Sequence, residues 1–284
     1  MDTAGILIIG ANGQFGNALK SKYPTARAVD SNELDITNAE QLAAFDWPNV
    51  KTIINAAAYT NVDGAETAEG RLIAWQVNAV GAANLAKIAI TLDITLVHVS
   101  SDYVFDGSQT PHFEDEVFSP LGVYGQTKAA GDLAVSLAPK HYILRTTWVI
   151  GEGKNFVRIM LELGKRGISP NVVSDQIGRL TFTDELVAIT DHLLASQAPY
   201  GTYNATNHGE PASWANITRT IFQTAGFEGS VTDVTTAEYY KEKQQAAPRP
   251  LKSVMDLTKL KATGFTGQDW HDTLTTYIHK ESSQ

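Results

Sequence analysis

Ile6-Leu7-Ile8-Ile9, running directly into Gly10-Ala11-Asn12-Gly13-Gln14-Phe15-Gly16, is the stretch whose reading decides the fold. Four consecutive apolar residues read as a short strand buried on both faces of a parallel sheet. The glycines follow at once and open a helical pattern that runs to about Ser21, after which Arg27-Ala28-Val29 reads as a second strand ending at Asp30. Strand, glycine-rich turn, helix and strand make the start of a βαβ unit. Outward from it the rhythm repeats: Thr52 to Asn55 as a strand, Glu69 to Leu92 as one long helix with Ala and Leu facing the sheet, and Thr95 to Val99 as a strand. Pro120 to about Leu137 then reads as a helix and Tyr142 to Arg145 as a strand.

Strands alternating with helices imply an α/β fold, a Rossmann-type doubly wound parallel sheet. The second half is less regular: helices at Asn155 to Gly164, Thr183 to Ala195, Trp214 to Ala225 and Trp270 to Lys280, with strands at Asn171 to Val173 and Tyr203-Asn204. No repeat, low-complexity tract or long linker separates the halves. The expectation is a dinucleotide-binding domain over 1–150, with 171–204 returning to it. A smaller, interwoven substrate domain is expected mainly over 151–284.

With 284 residues and 43% apolar content, the chain can bury a substantial core. A formal net charge of −9 argues against nucleic acid or an anionic membrane surface as partner. No cysteine is present, so disulfides, thiol nucleophiles and cysteine metal sites are excluded. The apolar run after Gly5 is too short for a signal peptide or a membrane span. A cytoplasmic protein, monomer or homodimer, is the expectation.

Gly10, Gly13 and Gly16 form Gly-x-x-Gly-x-x-Gly between a buried strand and a helix, where missing side chains let backbone N–H groups approach a pyrophosphate. Asp30, twenty residues after Gly10, stands where a carboxylate holds adenosine ribose hydroxyls and repels a 2′-phosphate, which favours NADH; as a plain turn residue it would mean neither. Asp35-Ile36 can flank an adenine. The small residues of Asn55-Ala56-Ala57-Ala58-Tyr59-Thr60 let a cofactor lie close, although tight helix–sheet packing explains them equally well.

Ser100-Ser101-Asp102-Tyr103 follows the strand that ends at Val99, on the side of an open sheet where ligands bind. Ser101 can there donate a hydrogen bond to a carbonyl, or simply cap a turn. Tyr124-Gly125-Gln126-Thr127-Lys128 puts a phenol and an ammonium four apart on one helix face. A cation that close would pull a tyrosine pKa down from about 10, preparing acid–base chemistry on a carbonyl or alcohol. The spacing alone is weak, since Tyr239-Tyr240-Lys241-Glu242-Lys243 repeats it in a charged stretch read as a solvated helix face.

Together these motifs resemble the extended short-chain dehydrogenase/reductase superfamily. Within it, Gly10 to Gly16, Glu33-Leu34-Asp35-Ile36-Thr37, Asn55 to Asp63, Ser101-Asp102-Tyr103-Val104-Phe105-Asp106-Gly107, Val173 to Gly178 and Arg249-Pro250-Leu251-Lys252-Ser253 look like the dTDP-4-dehydrorhamnose reductases. The resemblance spans nearly the whole chain. It implies reduction of the C4 ketone of dTDP-4-dehydro-L-rhamnose to dTDP-L-rhamnose by NADPH or NADH. Tyr124 would be the proton donor, Lys128 the partner of tyrosinate and nicotinamide ribose, and Ser101 the group that orients the carbonyl. The same correspondence lines the dinucleotide with Gly13, Gln14, Phe15, Asp35, Ile36, Ala58, Tyr59 and Thr60. The dTDP-sugar would meet Asp102, Tyr103 and Trp148, with Val62 near it; Trp148 otherwise reads as a core tryptophan. Arg249 is then a diphosphate clamp, or else a surface arginine beside two prolines.

Three positions depart from the family pattern. Ser101 stands where Thr is common, with the same hydroxyl. Ser31 stands where Arg commonly follows the acidic residue, which weakens the case for NADPH, and Gly178-Arg179-Leu180-Thr181 replaces Gly-x-Pro-Thr. Some relatives also bind Mg²⁺ between subunits through acidic residues; no ligands for it are assigned in this sequence. Two rival readings share the fold. One is a nucleotide-sugar epimerase or dehydratase, although Asp102-Tyr103 lacks the second carboxylate of a dehydratase. The other is a non-catalytic dinucleotide-binding subunit resembling the methionine adenosyltransferase β subunit.

Overall fold

The computed structural model describes residues 3–241 and 246–282. Its frame is a six-stranded, wholly parallel sheet built from β1 (Ile6–Ile9), β2 (Arg27–Val29), β3 (Thr52–Asn55), β4 (Thr95–Ser101), β5 (His141–Thr146) and a late strand, Gly201–Asn204. In space the order is β2, β1, β3, β4, β5 and then the late strand. The chain leaves β1 towards one edge and returns at β3 to run towards the other, so the direction reverses between β1 and β3. An open α/β sheet binds ligands at such a reversal, outside the carboxyl ends of its strands.

All four residues of β1 are buried, and their alternation explains why. Ile6 and Ile8 enter a core shared with α1 (Gln14–Lys22), while Leu7 and Ile9 enter the core on the opposite face. That opposite face is covered by α2 (Ala39–Ala44), α4 (Ala82–Leu92) and α5 (Val123–Val135), and α3 (Ala68–Ala74) packs beside α5 in a smaller cluster with Val123. The doubly wound α/β sheet is therefore built as the periodicity implies.

One difference lies in the expected single helix from Glu69 to Leu92. It is α3, a π-helical turn at Trp75–Gly81, and α4. The widened turn directs Asn78 inwards, where its side chain accepts from Tyr59 N (2.8 Å) and donates to Tyr59 O and to Thr127 Oγ1 (both 3.1 Å). Leu72 and Leu92, expected to face the sheet, are exposed instead. The helix expected from Pro120 starts at Val123, whose N–H donates to Glu66 Oε1 at 2.8 Å, so a distant carboxylate supplies the cap that Gly122 lacks.

After β5 the chain builds a second lobe. It passes through β6 (Val149–Ile150), α6 (Phe156–Lys165), β7 (Asn171–Val173), β8 (Ile177–Gly178) and β9 (Thr181–Phe182). It then crosses back with α7 (Thr183–Ala195), which packs on α1, and with the late strand, β10. Residues 171–204 thus divide: α7 and β10 belong to the main sheet layer, whereas β7 pairs elsewhere, with β12 (Thr232–Val234). The second lobe is completed by β11 (Ala212–Ser213), α8 (Trp214–Ala225), α9 (Thr236–Tyr240) and α11 (Trp270–Ser282), while α10 (Thr258–Ala262) packs on β10 and adds Leu260 to the core of the main sheet. The second lobe's own core gathers Val157, Leu161, Ile217, Ile221, Trp270 and Leu274.

Candidate active site

Gly10 adopts φ +81°, a conformation that favours glycine, and a Cβ there would lie 2.5 Å from Ala57 N. The loop after β1 therefore touches the loop after β3 at the point of sheet reversal. A Cβ on Gly16 would collide with Gly10 O, so Gly16 sets the closeness of α1 to the turn and does not itself face the groove. Gly13, at the start of α1, has space above it, as a phosphate cradled by a helix N-terminus requires. These are the features a dinucleotide needs, and the residues fit one.

From Gly13 one arm of the groove passes Asp30, Ser31, Asp35, Ile36, Ala58 and Tyr59. Asp30 Oδ2 accepts from Asn12 N (2.9 Å) and Oδ1 accepts from Ser31 N (2.7 Å). Partial burial pushes the Asp30 carboxyl up, but these hydrogen bonds and the charge of Lys20 hold it below the usual carboxylate range. Asp35 is occupied by its own turn, accepting from Thr37 N and Oγ1 at 2.8 Å each, while Ile36 is 4% exposed and packs beneath Gly81. Both border the cleft; the Asp35 carboxylate is directed at its neighbours.

The other arm contains Gln14, Phe15, Thr60, Val62, Ser101, Asp102, Tyr103, Tyr124, Lys128 and Trp148. Phe15 doubles as a core residue. The predicted acid–base group is thus brought together in one groove, continuous through Gly13, Ala56 and Ala58 with the arm that holds Asp30. Its alignment comes from packing. A Cβ on Gly125 would collide with Tyr103 O, so α5 lies tight against the turn after β4, and the Tyr103 and Tyr124 rings meet edge to face at 5.3 Å.

Ser101 Oγ donates to Asp102 Oδ1 at 3.0 Å and accepts from Tyr103 N at 3.2 Å. Asp102, 2% exposed, is raised by burial. The nearby Ser253 and Thr147 hydroxyls favour its ionised form without closing a hydrogen bond onto Oδ2. Lys128 is 2% exposed and its Nζ donates to Val99 O at 2.6 Å. Burial brings the Lys128 ammonium down to about 8, against an opposing pull from Asp132.

The phenol of Tyr124 corrects an expectation. Helical spacing to Lys128 implied a lowered pKa, yet burial pushes Tyr124 up to about 12, with a Ser101 hydrogen bond opposing and Asp102 and Asp132 adding to the rise. Desolvation outweighs the lysine because that ammonium is turned to a backbone carbonyl. At neutral pH Tyr124 is a protonated donor.

Trp148 stands at φ +48°, an outlier for a bulky side chain, of the kind that costs of order 1–3 kcal/mol. It is held there by Trp214, stacked at 3.8 Å, and by Gly178, where a Cβ would lie 3.0 Å from Cζ2. Tyr103 and Trp148 also border a second cleft, walled by Phe156, Gln176, Trp214, Tyr240 and Arg249. Arg249 lies in this cleft and not in the groove of Tyr124. It pairs with Asp63 (2.8 Å), donates to Ala247 O (2.6 Å) and lies 4.4 Å over the Tyr240 ring. The stretch read as a solvated face therefore supplies Tyr239 and Tyr240 to a cleft wall; Lys243 lies outside the described residues. Trp214 and Gln176 are joined by a 3.2 Å hydrogen bond; Gln176 lies in the Val173 to Gly178 signature, whereas Trp214 read only as a helix start.

Among the described residues no group of three or more His, Cys, Asp or Glu side chains is placed to hold a metal ion, and no helix is long and apolar enough to cross a membrane. The family model described as "RmlD substrate binding domain" matches residues 4–283. A dTDP-4-dehydrorhamnose reductase of Aggregatibacter actinomycetemcomitans is 39% identical over 95% of this chain and 97% of its own. The crystal structure of a dTDP-4-dehydrorhamnose reductase from Clostridium acetobutylicum superposes with a TM-score of 0.89 at 35% identity, covering 98% of this chain and 99% of that one. One from Bacillus anthracis in complex with NADP gives 0.88 at 33%, covering 97% and 98%.

Proposed function

Since the chain belongs to the RmlD substrate binding domain family, we propose that it reduces the C4 ketone of dTDP-4-dehydro-L-rhamnose to dTDP-L-rhamnose, using NADH or NADPH. The observation that carries this reading is the convergence of Ser101, Tyr124 and Lys128 in a groove continuous with the Gly10 turn and Asp30. A reduced nicotinamide bound there supplies the hydride that goes to C4. When substrate binds, the Ser101 hydroxyl turns its one proton from Asp102 Oδ1 to the ketone oxygen and fixes its direction. Tyr124, protonated because it is buried, gives its phenolic proton to the oxygen as negative charge develops there. Lys128 contributes a positive charge beside the tyrosinate left behind. Bond and charge balance close: hydride and proton convert the carbonyl to an alcohol.

The lobe built mainly from residues 151–284 is the substrate side of this reading. Trp148, with Tyr103 and Asp102, walls the sugar, and the cleft beyond it takes the nucleotide, where the Arg249 fork suits diphosphate oxygens. Gly13, Gln14, Phe15, Ala58, Tyr59 and Thr60 hold the dinucleotide, with Asp30 on the adenosine ribose. The test is direct. Purified protein is mixed with enzymatically prepared dTDP-4-dehydro-L-rhamnose and either reduced nicotinamide, and absorbance loss is followed while the sugar product is identified. Oxidation with formation of dTDP-L-rhamnose is expected; no oxidation of either cofactor sinks the reading.

A further inference from the structure

Behind Lys128 lies a buried charged pair that the reaction as described does not use. Asp132 is one turn further along α5, so Tyr124, Lys128 and Asp132, spaced by four and four, share one helix face. Asp132 is 1% exposed, its Oδ2 lies 3.0 Å from Arg145 Nε on β5, and its Oδ1 has no hydrogen-bond partner. Arg145 is itself fixed, donating from Nη1 to Glu114 O at 2.9 Å and lying over the Phe105 and Phe118 rings at 5.2 and 4.9 Å. Lys128, for its part, makes its hydrogen bond to a neutral acceptor, Val99 O, in a dry site. An ammonium there keeps its proton only if a counter-charge is near.

We propose that Asp132, clamped by Arg145, is a positioning residue that keeps Lys128 protonated and in place beside Tyr124. The proposal rests on the reductase reading above. The groups facing Lys128 leave the task to this carboxylate. From β4, His98, whose Nδ1 lies 3.0 Å from Asn55 Nδ2, is kept neutral by burial and by Lys128 itself. Burial pushes both Asp102, after β4, and Asp132 towards their neutral forms, but Arg145 pairs with Asp132 and favours its ionised form; on α5, Tyr124 is a neutral phenol. Arg145, from β5, is matched by Asp132. Asp132 is also the charge that opposes the downward push of burial on Lys128.

The experiment is the pH dependence of kcat/KM for the whole chain, with ¹³Cε-lysine NMR following Lys128 directly. The wild-type protein is expected to lose activity as pH rises through about 8. In Asp132→Asn that limb should move about one pH unit towards acid, a roughly fivefold loss at pH 8 that approaches tenfold at higher pH and that lower pH restores. Asp132→Glu keeps the charge and should leave the limb in place. Because a stranded guanidinium can unfold the single variant, Asp132→Asn with Arg145→Met removes both members of the pair and should move the limb the same way. A uniform loss at every pH with an unmoved limb and an unmoved lysine titration overturns the proposal and leaves the pair a structural one. If the wild-type protein oxidises neither cofactor, the reductase reading fails, and the lysine titration in the variants still decides what Asp132 does.

Discussion

Lys128 Nζ donates to the carbonyl oxygen of Val99 at 2.6 Å, although its spacing to Tyr124 would suggest the phenol as its target. The hydrogen bond ties α5 to the end of β4 and sets the ammonium where burial weakens its hold on the proton, down to about 8. The sign for catalysis follows. Below that pH Lys128 is charged and can stabilise a tyrosinate; above it the support disappears. We therefore expect ketone reduction to fall with a single basic limb near pH 8, while Tyr124, pushed up to about 12, stays protonated throughout. A pH–rate profile flat to pH 10 would remove Lys128 from this role.

Tyr124→Phe keeps the ring that meets Tyr103 edge to face and removes only the proton donor. Turnover should fall about 10²–10⁴-fold, the usual worth of a positioned general acid. Affinity for dinucleotide, measured by titration of the apoprotein, should change little, because the Gly10 turn and Asp30 are untouched. Substantial residual turnover would assign the proton to another group.

How much of this was legible depended on whether the signal was local. The strand Ile6–Ile9, the Gly10 turn and the Tyr124–Lys128 spacing are each written within a few residues, and each is found where its pattern puts it. The pairings β6 with β9, β7 with β12 and β8 with β11 join strands of two or three residues far apart in the chain, too short for a period to show. Asn78 was hidden because a π-helical turn looks like ordinary helix in sequence. The direction of the Tyr124 shift was misjudged for a related reason: spacing reveals a neighbouring charge, whereas desolvation is a property of the packed groove. Tyr240 was read as solvated, and only the fold brings it under Arg249.

Cofactor choice should follow from Asp30. Its carboxylate is held ionised by Asn12 N and Ser31 N, and Ser31 supplies no cation for a 2′-phosphate. A like-charge contact at about 4 Å is worth roughly 1–4 kcal/mol, so kcat/KM should favour NADH over NADPH by on the order of tenfold or more. Asp30→Ala should erase the preference, and Asp30→Ala with Ser31→Arg should reverse it. A wild-type preference for NADPH would contradict this account of the site.

Glu185, in the first turn of α7, makes the stability of the fold depend on pH. Its side chain is 5% exposed and accepts only weakly from Gln268 N, at 3.1 and 3.3 Å; burial pushes its carboxyl up to about 7. An unfolded glutamate titrates near 4.5, so between about 4.5 and 7 the folded protein binds a proton that the unfolded chain has released. By linkage, this residue's contribution favours the fold at the acid end of that window and weakens it as pH rises towards 7, by up to about 3 kcal/mol. Glu185→Gln keeps an acceptor for Gln268 N and carries no charge. Urea unfolding of the wild-type protein and the variant at pH 4.5 and 7.5 checks it: the variant's advantage should be small at pH 4.5 and clear at pH 7.5. An equal difference at both values would mean that Glu185 titrates like an exposed glutamate and that its burial carries no charge penalty.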